Sequence, residues 1–183
     1  MVKIIAQWFG LGRIKYAPGT FGSLGALPIC YILILFPYFI SQIFEYEYWK
    51  MFWIIFIVIE LKLLILGYYS IGKFTVIVGV KDHKSIVIDE VIGQVISFAI
   101  LFFLTISRFP SQYQDFISLP VFFYIFFISF FFFRIFDIFK PFGIRWLDKN
   151  IDGTTGVIID DIAAGIIAGI ISSILYRYFI LNS

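Results

Sequence analysis

Gly156-Val157-Ile158-Ile159-Asp160-Asp161-Ile162-Ala163-Ala164-Gly165-Ile166-Ile167-Ala168-Gly169 sets the fold of this chain. Two adjacent carboxylates open an apolar run, Ile162–Ile180, that approaches the roughly 20 residues a helix needs to cross hydrocarbon. Gly165 and Gly169 form a G-x-x-x-G with Ala164 and Ala168 beside them, small residues that let a neighbouring helix approach closely. Acids bordering hydrocarbon are costly unless something pairs with them. The same arrangement occurs earlier, where Ser85-Ile86-Val87-Ile88-Asp89-Glu90-Val91-Ile92-Gly93 puts two carboxylates at the start of another apolar run.

Composition agrees with a membrane protein. The 183 residues are 61% hydrophobic and 22% aromatic, with mean hydropathy +0.99, and only 14% are charged where a soluble domain carries roughly a quarter. No polar linker divides the chain, so residues 1–183 read as a single domain. A net charge of +2 is too small to imply a nucleic-acid partner. Cys30 is the lone cysteine and forms no internal disulfide. Met1 to Gly10 contain no convincing h-region or cleavage site for a removable signal peptide.

The apolar runs predict an all-α, polytopic helical bundle of about four to five spans, at Leu24–Phe44, Met51–Tyr69, Val91–Ser107, Leu119–Asp137 and Ile162–Ile180. The second contains Glu60 and Lys62, and the third is short at its outer end, so either can be tilted or packed inside the bundle. With the N-terminus inside, cytoplasmic segments hold Lys3, Arg13, Lys15, Lys73, Lys81, Lys84, Lys140, Arg145 and Lys149, and the other side only Lys50, Arg108 and Arg177. That asymmetry puts both acid-bearing regions on one face. Ala17-Pro18-Gly19-Thr20 reads as a turn, with Thr20 or Ser23 able to cap the first span.

Eight of the twelve acids gather in two regions: Asp82, Asp89 and Glu90 in one, Asp137, Asp148, Asp152, Asp160 and Asp161 in the other. One acid per helix would complement the helix dipole. Two at each of two helices also offer several oxygens to one or two cations, and Mg²⁺ prefers such oxygen ligands. Arg134, Asp137 and Lys140 recur every three residues near one helical face. They form either a snorkelling, salt-bridged helix end or a phosphate-holding group in which Asp137 orients the cations or binds metal. His83 is the only histidine, which excludes a phosphohistidine mechanism using a second histidine as acid. Asn150-Ile151-Asp152-Gly153-Thr154 imitates a haloacid-dehalogenase loop, but an amide stands at the nucleophile's place. The spacing of Asp148, Asp152, Asp160 and Asp161 likewise departs from the CDP-alcohol phosphatidyltransferase signature.

In order along the chain, Gly10-Leu11-Gly12 through Ala17-Pro18-Gly19-Thr20-Phe21-Gly22-Ser23, Asp82 with Ile86-Val87-Ile88-Asp89-Glu90-Val91-Ile92-Gly93, Phe133-Arg134-Ile135-Phe136-Asp137-Ile138-Phe139-Lys140-Pro141, Ile144-Arg145-Trp146-Leu147-Asp148 and Gly156 through Gly165 resemble the motifs of the phosphatidylglycerophosphatase A family. The chain departs at Phe142-Gly143, where the family has an aromatic residue followed by Pro, and at Asp152 and Thr154-Thr155 in a normally Gly-rich loop. The resemblance implies an enzyme of the bacterial inner membrane, multi-pass, with its active face cytoplasmic. It implies removal of the terminal phosphate of a phospholipid substrate, phosphatidylglycerophosphate, to give phosphatidylglycerol, with Mg²⁺ as cofactor.

On that footing Asp89, Glu90, Asp160 and Asp161, with Asp82, are the expected metal ligands, and Asp137 joins the catalytic carboxylates. Arg134 and Lys140 are expected to neutralise the phosphate, and amides of Gly19, Thr20, Gly22 and Ser23 to form an anion-binding nest. Two alternatives are a phosphatase of another lipid phosphomonoester, such as phosphatidic acid, and a non-catalytic cation transporter, for which only Glu60 lies near mid-membrane. The sequence decides neither the oligomeric state nor whether an activated water or a carboxylate, through a phospho-enzyme intermediate, attacks the phosphorus.

Overall fold

Each apolar run becomes a helix, and the helices run further toward the acids than the runs themselves do. A computed structural model describes residues 1–80, 83–107, 117–141 and 143–181. A short α1 (Val2–Ala6) and a kinked 3₁₀ segment (Trp8–Arg13) lead into α2 (Pro18–Leu24) and α3 (Leu27–Phe44). Then come α4 (Tyr48–Val78), α5 (Ile88–Ile106), α6 (Leu119–Phe139), α7 (Ile144–Asn150) and α8 (Gly153–Leu181). Five helical stretches are long and apolar enough to cross a bilayer, and the described residues include no strand. The all-α bundle expected from the sequence is what forms.

The differences lie at the inner ends. α5 starts at Ile88 and α8 at Gly153, so both acidic doublets sit inside helices. α4 runs to Val78 because Lys73 does not end it: its ammonium lies 4.6 Å over the Tyr69 ring while its stem stays on the helix. Ala17-Pro18-Gly19-Thr20 is the first turn of a helix, not a free turn. Ala17 takes a left-handed φ of 51° and Pro18, with its fixed φ and missing N–H, starts α2. Neither Thr20 nor Ser23 caps a helix; the Ser23 hydroxyl instead donates to the Gly19 carbonyl at 2.9 Å.

α5 is the short third span, and it is buried along most of its length between α8, α6 and α4. Its outer half is held by rings: Phe98 stacks on Phe102 with centroids 5.8 Å apart, and Phe102 on Phe52 of α4 at 5.5 Å. Its inner half is held by the lack of side chains. A Cβ on Gly93 would lie 2.6 Å from the Asp161 carbonyl oxygen, and one on Gly165 would strike the Gly93 carbonyl. A Cβ on Gly169 would lie 2.9 Å from the Ser97 carbonyl. Gly165 and Gly169 are therefore the seam along which α8 meets α5, as their spacing suggested. Within the span, the Gln94 amide nitrogen donates to the Ser129 hydroxyl of α6 at 2.9 Å, a polar link between helices inside the hydrocarbon.

The outward faces of the spans carry Ile32, Phe36, Ile57, Leu61, Phe131 and many similar residues, a belt suited to lipid. Glu60 differs: it is buried, and neither of its oxygens has a partner among the described residues, while Lys62 points outward.

Gly165→Leu should force α5 and α8 apart at a backbone that cannot yield, costing at the upper end of the ~1–3 kcal/mol of overpacking. Phe131→Leu on the lipid face should leave thermal unfolding in detergent within a degree or so of the unaltered protein. Equal melting temperatures for the two variants would show that the seam is not tight.

Candidate metal and phosphate site

One turn before the Gly93–Gly165 crossing, α5 presents Asp89 and Glu90, and α8 presents Asp160 and Asp161. The two doublets converge. Ligand oxygens of Asp89, Glu90 and Asp161 all lie within 4.8 Å of one another. Asp89, Asp160 and Asp161 are 8%, 6% and 4% exposed, so these carboxylates are withdrawn from bulk water. Consecutive residues on a helix point about 100° apart, and the α8 doublet divides accordingly. Asp161 turns toward α5, whereas Asp160 turns toward Lys140 and meets its ammonium at 2.5 Å.

α6 delivers the cations. Arg134 donates to Asp137 at 2.5 Å, one turn along the same helix, and to the Ser23 hydroxyl of α2 at 3.3 Å. The helix ends at Lys140, whose left-handed φ of 47° turns the chain toward α7. That turn takes Lys140 away from Asp137. Its ammonium bridges Asp160 of α8 and Asp148 of α7, the latter at 2.8 Å. Burial alone would lower the Lys140 pKa, but the hydrogen bonds and charges of Asp148 and Asp160 outweigh it and hold the ammonium protonated well above the ordinary lysine range.

α2 forms one wall. A Cβ on Gly19 would collide with a Glu90 carboxylate oxygen and lie 3.1 Å from the Arg134 guanidinium, so glycine there lets both groups pack against the helix. Gly19 and Thr20 line the site cavity, of about 520 Å³, while Gly22 is packed on Val87 and Ser23 acts through Arg134. The backbone of Gly19, Thr20, Gly22 and Ser23 is helical rather than a nest, and the Thr20 amide is already bonded to the Ala17 carbonyl at 3.0 Å. Asp82 lies outside the described residues.

Among the described residues, seven carboxylates and three cations line this cavity. Asp89 Oδ1, Glu90 Oε2 and Asp160 Oδ1 are buried without a hydrogen-bond partner among the described residues. Buried orphan oxygens of this kind, clustered and acceptor-only when ionised, are what a hard divalent cation satisfies. The donor set fits such an ion. The sequence places Asp148 in the second acidic group and Lys84 among the cytoplasmic cations but gives neither a role in the site; Asp148 is the second anchor of Lys140 and Lys84 lies on the rim, and Asp148 sits in the short helix after Pro141, where only the folded turn brings it back.

The fold and cavity define a polytopic membrane protein with an all-oxygen, cation-seeking site at the edge of its spans, beside a fixed guanidinium. Comparison with known proteins gives the family. Residues 4–176 match the model of phosphatidylglycerophosphatase A. The chain is 32% identical over 169 residues to phosphatidylglycerophosphatase A of Escherichia coli, covering 92% of this chain and 80% of that protein. It is 32% identical over 170 residues to the Haemophilus influenzae protein of the same name, covering 93% and 85%. A Bacteroides thetaiotaomicron protein, provisionally named a phosphatidylinositol-3-phosphatase, is 28% identical over 171 residues, covering 93% and 91%. No solved structure matches. This chain belongs to the phosphatidylglycerophosphatase A family. Family and fold together make it a multi-pass protein of the bacterial inner membrane, with a site of the lipid-phosphatase kind.

Lys140→Met should leave Asp148 and Asp160 facing each other without a counter-charge, destabilising by about 1–3 kcal/mol. Because the folded-state pKa is raised, the link is at full strength below the ordinary lysine range and is lost progressively as pH rises from there through the raised value. Melting curves from pH 7 to 10 should thus show a constant gap between variant and unaltered protein; a gap closing below pH 9 would contradict the bridge.

Proposed function

We propose that the protein hydrolyses the terminal phosphomonoester of phosphatidylglycerophosphate, with Mg²⁺, to give phosphatidylglycerol and inorganic phosphate on the cytoplasmic face. The observation that carries this reading is the convergence of the two acidic doublets, with unpartnered buried oxygens, beside Arg134. The clustering of Lys and Arg on the same side supports the cytoplasmic placement.

Asp89, Glu90 and Asp161 would hold the ion, with Asp160 at its edge. When bound, Mg²⁺ supplies charge neutralisation and polarisation of the phosphoryl oxygens. Arg134, fixed by Asp137 and Ser23, presents a planar fork of donors suited to two phosphate oxygens. Its aim is set before substrate arrives, so little ordering is needed at the moment of reaction. Lys140 is locked in its charged form and serves as a fixed positive charge, not as a proton donor. Water adds to phosphorus, the bond to the glycerol oxygen breaks, and that oxygen takes up a proton as the alcohol leaves.

A second reading is hydrolysis of a different lipid phosphomonoester at the same site, favoured by the name of the Bacteroides thetaiotaomicron relative. A panel of phosphatidylglycerophosphate, phosphatidic acid and a phosphoinositide monophosphate, assayed for phosphate release in detergent without an ion gradient, separates the two. Rapid release from the first substrate, stopped by a chelator and restored by Mg²⁺, is the expected result. Release without Mg²⁺ dependence would remove the metal role.

Asp89→Asn and Asp161→Asn should each lower turnover by about a hundredfold or more. A readout free of catalysis accompanies this: saturating Mg²⁺ should raise the melting temperature of the unaltered protein by about 5 °C or more through binding to the folded form. The Asp161→Asn variant should show little of that rise. Full activity or a full thermal shift in either variant would take its carboxylate out of the site.

A further inference from the structure

Beside the acidic cavity lies a second hollow of about 360 Å³ with the opposite character. Arg13, Lys15, His83 and Lys84 line it, and among the described residues none of those lining it is acidic. The two hollows share Pro18 and Lys84, so they adjoin.

The floor of this annex is built rather than incidental. Gln7 is buried; its carboxamide oxygen accepts from Arg13 Nε at 2.7 Å and its nitrogen donates to the Ser85 hydroxyl at 3.1 Å. That hydroxyl lies 2.7 Å from His83 Nδ1. The Val87 amide donates to the Ala6 carbonyl at 3.0 Å, and a Cβ on Gly12 would collide with the Ser85 carbonyl. These contacts lock the N-terminal segment to the residues just before Asp89 and Glu90. With Nε taken by Gln7, the two terminal nitrogens of Arg13 have no partner among the described residues and stay available to an anion. The annex therefore holds a fixed distance and bearing from the carboxylate cluster.

A ligand matched to both hollows carries one anion for the metal-seeking cavity and a second, one small spacer away, for the basic annex. A phosphodiester is that second anion: a single delocalised negative charge suited to Lys and Arg without a metal. We propose that Arg13, Lys15 and Lys84 form a subsite for the phosphodiester of the lipid headgroup, which selects doubly phosphorylated lipids over simple phosphomonoesters such as phosphatidic acid. This rests on the lipid-phosphatase reading above for its catalytic consequence, though not for the binding itself.

The test uses the full-length protein in an uncharged detergent at low salt, with the Lys15→Gln/Lys84→Gln double variant. Both side chains are exposed and neither ammonium pairs with an acid among the described residues, so the fold should be untouched. Short-chain phosphatidylglycerol, which has the diester and no monoester, is titrated by calorimetry. Its affinity should fall about tenfold or more in the variant. In parallel, the ratio of kcat/KM for phosphatidylglycerophosphate over phosphatidic acid should fall by a similar factor, mainly through KM. Unchanged phosphatidylglycerol affinity, or equal proportional losses on the two substrates, would overturn the subsite. Were the unaltered protein inactive on phosphatidylglycerophosphate, the functional reading would fall, and the phosphatidylglycerol titration would still decide the annex.

Discussion

Where α5 and α8 cross, the Gly93 carbonyl occupies the space that a side chain on Gly165 would need. In hydrocarbon there is no hydrophobic force to press two helices together, so their separation is set by what their facing surfaces allow. Glycine allows backbone contact. The next turn toward the membrane edge then has no choice of distance: Asp161 arrives beside Asp89 and Glu90, close enough for their oxygens to share one ion. Further outward the same helix α5 is spaced by rings, Phe98 and Phe102 against Phe52 and Phe122. Aromatic packing at one end and bare backbone at the other make a bundle that is stable where it does nothing and close where it does chemistry.

That closeness creates an electrostatic problem, and the remaining elements are arranged around it. The carboxylates gathered around this cavity, seven among the described residues, would repel if left alone. α6 answers with Arg134, paired to Asp137 and steadied by Ser23 of α2. The turn at Lys140 answers with an ammonium bridged to α7 and α8. Those two cations pair with the outer carboxylates and leave the inner three, Asp89, Glu90 and Asp161, without a salt bridge of their own among the described residues. A division of this kind directs a bound cation to one place and leaves the guanidinium facing an incoming anion.

Much of this was legible in the sequence, and the failures have physical causes. The spans could be read because a membrane helix must be long and apolar. Their inner ends could not, since hydropathy stops counting at the first charge, whereas the helix continues through Lys73 and begins before Asp89 and Asp160. The meeting of the two doublets could be anticipated from their common side and the G-x-x-x-G at Gly165. Which member of each doublet faces the other helix depends on helix rotation, so the split between Asp160 and Asp161 appears only in three dimensions. Spacing linked Lys140 to Asp137, but the left-handed turn at Lys140 gives it to Asp148 and Asp160. Pro18 looked like a turn former because the same fixed φ serves a turn and a first helical residue.

Backbone contact between α5 and α8 thus brings two separate doublets together as one ion site. Its most direct test is an experimental structure of the protein soaked with Mn²⁺, recorded for anomalous scattering. A peak bounded by Asp89, Glu90 and Asp161, with the Gly93 and Gly165 backbones touching, is the expected result. A peak elsewhere, or doublets too far apart to share one ion, would contradict it.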